Sequence, residues 1–321
     1  MSDVNSAPMG GTELILANLQ AALPELTSEV QIIMSRPQNY VLEDKPRILW
    51  LQDLPEDPAS ACLRDPSYRT QFNRIVFASH WQEQRYNLFL GIPYNEGVVI
   101  KNAVPWRAHT LPKPKVDGKL KFIYTSTPHR GLPILAAAAE MLAGVRQDWE
   151  LHVYSSLNIY GWHEQDKQFQ PLYDALQKIP QVVYHGSQPN NVVRDALDSA
   201  HVFVYPSVYL ETSCMAIQEA MMAGCLAITS NYGALTETCG EWAWMFPFDE
   251  RPEQMVEHTA HLMLRALERY DDEHLQSTLA VQSGYYQQYY SFESRVPRWQ
   301  QLLETVIKEG APEEKLVYHI K

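Results

Sequence analysis

The sequence predicts an α/β protein of two Rossmann-like domains, each layered on a parallel sheet and the two facing a cleft. Three observations lead there. Short β-rich runs alternate with longer helical patterns along the chain, as strand–helix–strand units do. The alternation breaks once, at residues 103–118, where Pro105, Pro112 and Pro114 stand among Lys and Arg without periodicity. Proline fixes φ and removes a backbone donor, so this stretch reads as a linker. A chain of 321 residues is also long enough for two full cores.

In the first half a helix is predicted near 12–23, with strands at 30–35, 47–52, 74–79 and 97–102 and a helix at 80–90 joining the last two strands. The pattern restarts after the linker with a strand at 119–125 and a helix at 132–142. Strands at 150–155, 182–185, 202–205 and 226–230 follow, with helices at 190–199 and 213–223 between them. From about Pro252 the chain reads as helical, over 253–270, 272–289 and 293–308. The implied organisation is an N-terminal domain over 1–104, a linker over 105–118, a second domain over 119–290 and a terminal helix and tail over 291–321.

Composition narrows the function. The net charge is −12 and no basic cluster interrupts it. Nucleic-acid backbones and anionic membranes require clustered Lys and Arg, so no nucleic-acid partner is expected, and at most weak peripheral membrane association. The four cysteines show no Cys-x-x-Cys spacing, which favours free thiols in a reducing compartment over a disulfide framework. No stretch is apolar for long enough to span a membrane and no signal-peptide pattern opens the chain, so a soluble, cytoplasmic protein is expected.

The densest signal is Tyr205-Pro-Ser-Val-Tyr-Leu-Glu-Thr-Ser-Cys-Met-Ala-Ile-Gln-Glu-Ala-Met-Met-Ala-Gly224, which follows the apolar run from Val202. It reads as strand, tight loop and helix, with Glu211 at the helix mouth and Glu219 about two turns along. A helix N-terminus offers free N–H groups and a partial positive charge to a phosphate. Carboxylates beside it can accept hydrogen bonds from sugar hydroxyls. Phosphate with polyol describes a nucleotide-sugar. Each Glu also has a plain alternative: Glu211 as an acid near a helix start, Glu219 as a solvated helix residue.

These residues resemble the retaining GT-B glycosyltransferases of glycosyltransferase family 4. The family's Glu-x7-Glu element follows a Tyr-Pro-Ser strand end and runs into Glu-Ala-Met and Ala-Gly, as Tyr205-Pro206-Ser207, Glu211, Glu219-Ala220-Met221 and Ala223-Gly224 do. Further segments are similar in the family's order: Gly10-Gly11-Thr12-Glu13, Val99-Ile100-Lys101-Asn102-Ala103-Val104, Pro128-His129-Arg130-Gly131 and His185-Gly186. The resemblance covers roughly Gly10 to Ala234. It implies a GT-B fold with a terminal helix crossing back, over 292–307.

The resemblance implies transfer of a sugar, with retention, from a UDP- or GDP-sugar to a hydroxyl acceptor such as a glycan, a lipid-linked saccharide or a small molecule. No resident cofactor and no metal are implied. Asp271-Asp272 invites a metal reading but lies far from the motifs. Glu211 would contact the transferring sugar and Glu219 the ribose. Arg130 would bind the diphosphate where relatives use Lys, with Ser126 and Thr127 as donors in place of an absent upstream Arg. Backbone groups of Thr212, Ser213, Cys214 and Met215 would face sugar and diphosphate, although the glycines of relatives are missing here. Gly11 and Gly186 would give close backbone approach. On the acceptor side the candidates are Gln52, Asp53 and His80; Asp53 can equally cap a helix and His80 can equally be a cap-region residue. Residues 1–9 are too short and polar for the strand that precedes the glycine loop in relatives, so a small or truncated first domain is expected. Alternatives from other classes are a catalytically weak nucleotide-sugar or glycan-binding GT-B module, and a GT-B hydrolase or epimerase.

Overall fold

The computed structural model describes residues 10–312 and divides into two compact units. One is built on Thr12–Ala103 together with the chain from Phe292, the other on Val104–Ser291. The stretch 1–9 lies outside the described residues.

The first unit runs α1 (Gly11–Ala22), α2 (Pro24–Glu29), β1 (Gln31–Met34), β2 (Arg47–Leu51), α3 (Pro66–Arg69), β3 (Arg74–Phe77), α4 (His80–Leu90) and β4 (Gly97–Val99). Its four strands pair in parallel in the order β1-β2-β3-β4. Helix α4 starts where Ser79 Oγ accepts the Gln82 N–H at 3.0 Å and stops at Gly91 in the left-handed conformation. Tyr86 and Leu90 on its inner face join Ile33, Leu49, Leu51, Ile75 and Phe77 in one core.

The second unit runs β5 (Leu120–Tyr124), α5 (Leu132–Ala143), β6 (Trp149–Val153), α6 (His163–Asp166), α7 (Gln170–Leu176), β7 (Val182–Tyr184), α8 (Asn190–Ser199), β8 (Val202–Tyr205), α9 (Met215–Met222), β9 (Leu226–Ser230), α10 (Leu235–Cys239), β10 (Trp244–Phe246), α11 (Pro252–Arg269) and α12 (Glu273–Tyr289). The last helix, α13 (Phe292–Glu309), packs in the first unit, where the rings of Trp299 and Trp50 lie 4.4 Å apart. The helical C-terminus agrees with the sequence expectation.

The six strands of the second sheet are parallel in the order β10-β9-β8-β5-β6-β7. Every residue of β8 and β9 is buried, as expected of central strands covered on both faces. The chain reverses its direction of travel between β5 and β8. That is the topological switch point, where loops leaving the C-terminal strand ends diverge and open a crevice.

The stretch read as a linker is anchored to the second unit. Lys113 is buried, and its Nζ donates to the carbonyls of Leu197 at 2.8 Å and Ala200 at 2.7 Å. Those carbonyls end α8, so the ammonium satisfies acceptors that the helix leaves open and opposes the negative end of its dipole. Two sequence expectations shift. The helix predicted over 213–223 begins at Met215, because Cys214 is extended (φ −84°, ψ 101°). Strand β10 and the helices α6 and α7 were not predicted; β10 is a three-residue edge strand without clear alternation. The expected free thiols are found: all four cysteines are unpaired, and Cys214, Cys225 and Cys239 are buried.

Candidate functional site

Arg130 and Glu211, 81 residues apart in sequence, meet at the switch point. Arg130 ends the loop that leaves β5, and Glu211 lies in the loop that leaves β8. Arg130 Nη1 donates to Glu211 Oε1 at 2.8 Å. Tyr205, the last residue of β8, donates its phenol to the same oxygen at 2.5 Å. The Glu211 side chain is 4% exposed. Arg130 also lies over the Tyr209 ring, with Cζ 4.2 Å from the centroid. Burial works against the Arg130 charge, but the Glu211 carboxylate, then Tyr205, Tyr160 and Tyr209, hold the guanidinium well above its ordinary value.

The backbone around the pair is fixed by two glycines. At Gly131 (φ 140°) a Cβ would sit 2.3 Å from the Pro206 carbonyl oxygen. At Gly233 (φ 65°) a Cβ would sit 2.6 Å from the carbonyl oxygen and 2.7 Å from the nitrogen of Glu211. The chain can pass that close only without a side chain. Val208 N donates to the Arg130 carbonyl at 3.1 Å and Ala234 N to the Glu211 carbonyl at 2.8 Å, so both loops are stitched together through backbone groups.

The loop after β5 carries polar atoms with nothing to bond. Thr125 Oγ1, Thr127 Oγ1 and Arg130 Nε are buried without a hydrogen-bond partner among the described residues. A buried donor left unsatisfied is costly, and three such atoms lie along this one loop. Ser126 sits half-buried between the two threonines. At the start of α9, Cys214 holds the cap position without a side-chain cap hydrogen bond of its own. Thr212, Ser213 and Met215 are half-buried around it. Burial, followed by the Glu211 charge, pushes the Cys214 thiol far up.

Glu219 is engaged elsewhere. Its Oε1 accepts Arg194 Nε at 2.7 Å, and the Arg194 side chain is 6% exposed. The pair borders a small pocket between α8, α9 and the linker, lined in part by Pro105, Arg107, His109 and Asp198. Arg194 was not legible as a partner, since its meeting with Glu219 depends on how α8 packs beside α9. Gly186 follows β7 with φ 67°. Tyr160, in the stretch between β6 and α6, is among the residues that hold the Arg130 guanidinium up.

In the first unit, the candidates are held by structural bonds. Gln52 and Asn102 exchange amide hydrogen bonds at 2.7 and 3.3 Å. Asp53 pairs with Arg36 at 3.3 Å, and its carbonyl accepts from Gln82 at 2.9 Å and Tyr86 at 3.2 Å. The helix cap weighed for Asp53 is supplied by Asp57, which accepts the Ala59 N–H. His80 opens α4 with an exposed side chain 3.5 Å from Glu83. Gly11 is the first residue of α1. Among the described residues no three His, Cys, Asp or Glu side chains gather as a metal cage. Asp271 pairs with Lys115 at 2.6 Å and Asp272 caps α12. No helix among the described residues is long and apolar enough to cross a membrane.

Two parallel-sheet α/β units with a charged pair at the switch point of the second define a GT-B glycosyltransferase fold, and solved structures bear this out. The chain resembles a glycosyltransferase from Rickettsia africae at 12% identity and TM-score 0.69, over 97% of this chain and 85% of that one. It resembles the sucrose-phosphate synthase of Thermosynechococcus elongatus at 14% identity and TM-score 0.64, over 93% and 79%. It also resembles the HepE protein of Anabaena, crystallised with UDP and glucose, at 13% identity and TM-score 0.66, over 91% and 82%. Residues 112–272 match the model of the family described as glycosyl transferases group 1, and the chain belongs to that family. No curated protein matches the sequence.

Proposed function

We propose that this glycosyltransferase binds a nucleoside-diphosphate-sugar at the strand ends of its second unit and transfers the sugar to a hydroxyl acceptor with retention. The observation that carries the reading is the Arg130–Glu211 pair beside the unsatisfied donors of the β5 loop. A diphosphate fits Arg130 Nε and the hydroxyls of Thr125 and Thr127, with Ser126 beside them and the start of α9 near Thr212–Met215. Glu211 then faces the sugar, where a carboxylate stabilises positive charge developing at the anomeric carbon. Glu219, held by Arg194, is assigned to the ribose, and Gly186 and Gly11 to backbone approach. Gln52, Asp53 and His80 are assigned to the acceptor side.

Transfer on this reading is a same-face substitution. The bond from the anomeric carbon to the acceptor oxygen forms as the bond to the diphosphate breaks. The leaving phosphate oxygen takes the acceptor proton. No resident cofactor and no metal enter the scheme, and the protein works in the cytoplasm. The complex of the HepE structure with UDP favours a UDP-sugar over a GDP-sugar as donor.

Incubating the protein with UDP- and GDP-sugars and a set of hydroxyl acceptors, with products followed by NMR, tests this. The expected product keeps the donor's anomeric configuration. An inverted product would contradict retention, and donor breakdown that ignores every acceptor would favour a hydrolase.

A further inference from the structure

We propose that Tyr205 is a positioning residue for the transfer reaction, anchoring one oxygen of Glu211 so that the other stays turned to the donor sugar; this rests on the functional reading above. Three observations carry it. First, among the described residues both hydrogen bonds to the Glu211 carboxylate end on Oε1: one from Tyr205 Oη at 2.5 Å, one from Arg130 Nη1 at 2.8 Å. A carboxylate has room for about four donors over two oxygens, so crowding both onto Oε1 leaves Oε2 for a ligand.

Second, Tyr205 is fully buried and packed on both sides. It closes a fully buried strand, its ring is packed between Phe203 and Tyr124 at 5.9 Å from each, and the next residues are set by Pro206 and the Ser207 turn. Ser230 Oγ fastens that turn by donating to the Ser207 carbonyl at 2.6 Å. The phenol is therefore a fixed donor on a rigid element, the kind of support that holds a functional group to a fraction of an ångström. Third, Arg130 cannot hold Glu211 alone once a diphosphate is bound. A dianionic ligand on Nη and Nε draws the guanidinium toward itself, and Tyr205 is the anchor that does not compete for that ligand. Burial, then the Glu211 charge, keeps the Tyr205 phenol protonated far beyond neutral pH, so it remains a donor.

Tyr205→Phe keeps the ring and removes only the hydroxyl. Kinetics with a UDP-sugar donor should show kcat lowered about tenfold or more, as expected for losing a hydrogen bond to a charged group, with donor KM changed less than about twofold. Tyr286→Phe, which removes an equally buried hydroxyl bonded to the Thr238 carbonyl, should leave both constants unchanged. The second arm needs no turnover. Crystal structures of wild type and Tyr205→Phe should show the Glu211 carboxylate rotated or split between rotamers in the variant. An unmoved Glu211, or a variant with wild-type kcat, would overturn the assignment. A wild-type protein without turnover on any donor would count against the functional reading, while the crystal structures would still decide the role of Tyr205.

Discussion

Glu211→Gln is expected to lower the transfer rate by about 10²–10³-fold, with a much smaller change in donor KM. The side chain is nearly isosteric, so the loop can keep its shape, while the negative charge assigned to the anomeric carbon is lost. A charge placed where the transition state develops its opposite is worth roughly 3–4 kcal/mol in a water-poor site. Because the sugar carries little positive charge before the bond breaks, the loss falls on kcat rather than on binding. Glu211→Ala is expected to do more damage, since it leaves the half-buried Arg130 without its carboxylate. Removing one partner of a buried pair costs on the order of 3–5 kcal/mol of stability. Steady-state kinetics on Glu211→Gln, with circular dichroism to confirm folding, measure the catalytic effect. A variant transferring at the wild-type rate would remove Glu211 from the mechanism.

Gly131→Ala carries a large expected effect on stability. The new methyl would lie 2.3 Å from the Pro206 carbonyl oxygen and 2.9 Å from its carbon, both backbone atoms of a fixed strand end. The φ of 140° is itself strained for any residue with a Cβ. Strain and displacement together should cost about 3 kcal/mol or more, a fall of roughly 6–12 °C in the unfolding midpoint. Arg130 precedes this glycine directly, so donor binding should weaken as well. Gly284→Ala makes the comparison sharp. Gly284 lies exposed within α12 and a Cβ there would meet nothing within 4 Å, so alanine should be neutral or stabilising by up to about 1 kcal/mol. Calorimetry on the two variants separates them, and a Gly131→Ala protein as stable as wild type would refute the close-approach argument.

The parts of this fold that were legible in the sequence are those set by local physics. Helices α4 and α8 and strands β8 and β9 appear over the very residues expected, because their apolar patterns are unambiguous and turns or caps bound them. What was lost has an identifiable cause. Strand β10 is short and gains its identity from pairing with β9, which no local pattern announces. The start of α9 was placed two residues early because Ser213 resembles a cap, whereas the loop stays extended through Cys214.

The site divides in the same way. Glu211 and Arg130 were found through their motifs, and Gly131 stood in the same segment. The residues that support them were missed, because Tyr205, Tyr209, Tyr160 and Arg194 act only through tertiary contact. One signal was available for Tyr205: a tyrosine closing a wholly buried strand must find a partner for its hydroxyl. The acceptor candidates Gln52 and Asp53 rest on position alone. Their position at a strand end suggested function, and the structure finds both in internal hydrogen bonds.

The central claim is that the strand ends of β5 and β8 bind the donor diphosphate. The most direct measurement is a crystal structure of the protein with UDP or GDP. The account predicts phosphate oxygens against Arg130, Thr127 and the start of α9, with the ribose hydroxyls at Glu219. Nucleotide bound away from these residues, or none bound by a folded protein, would contradict it.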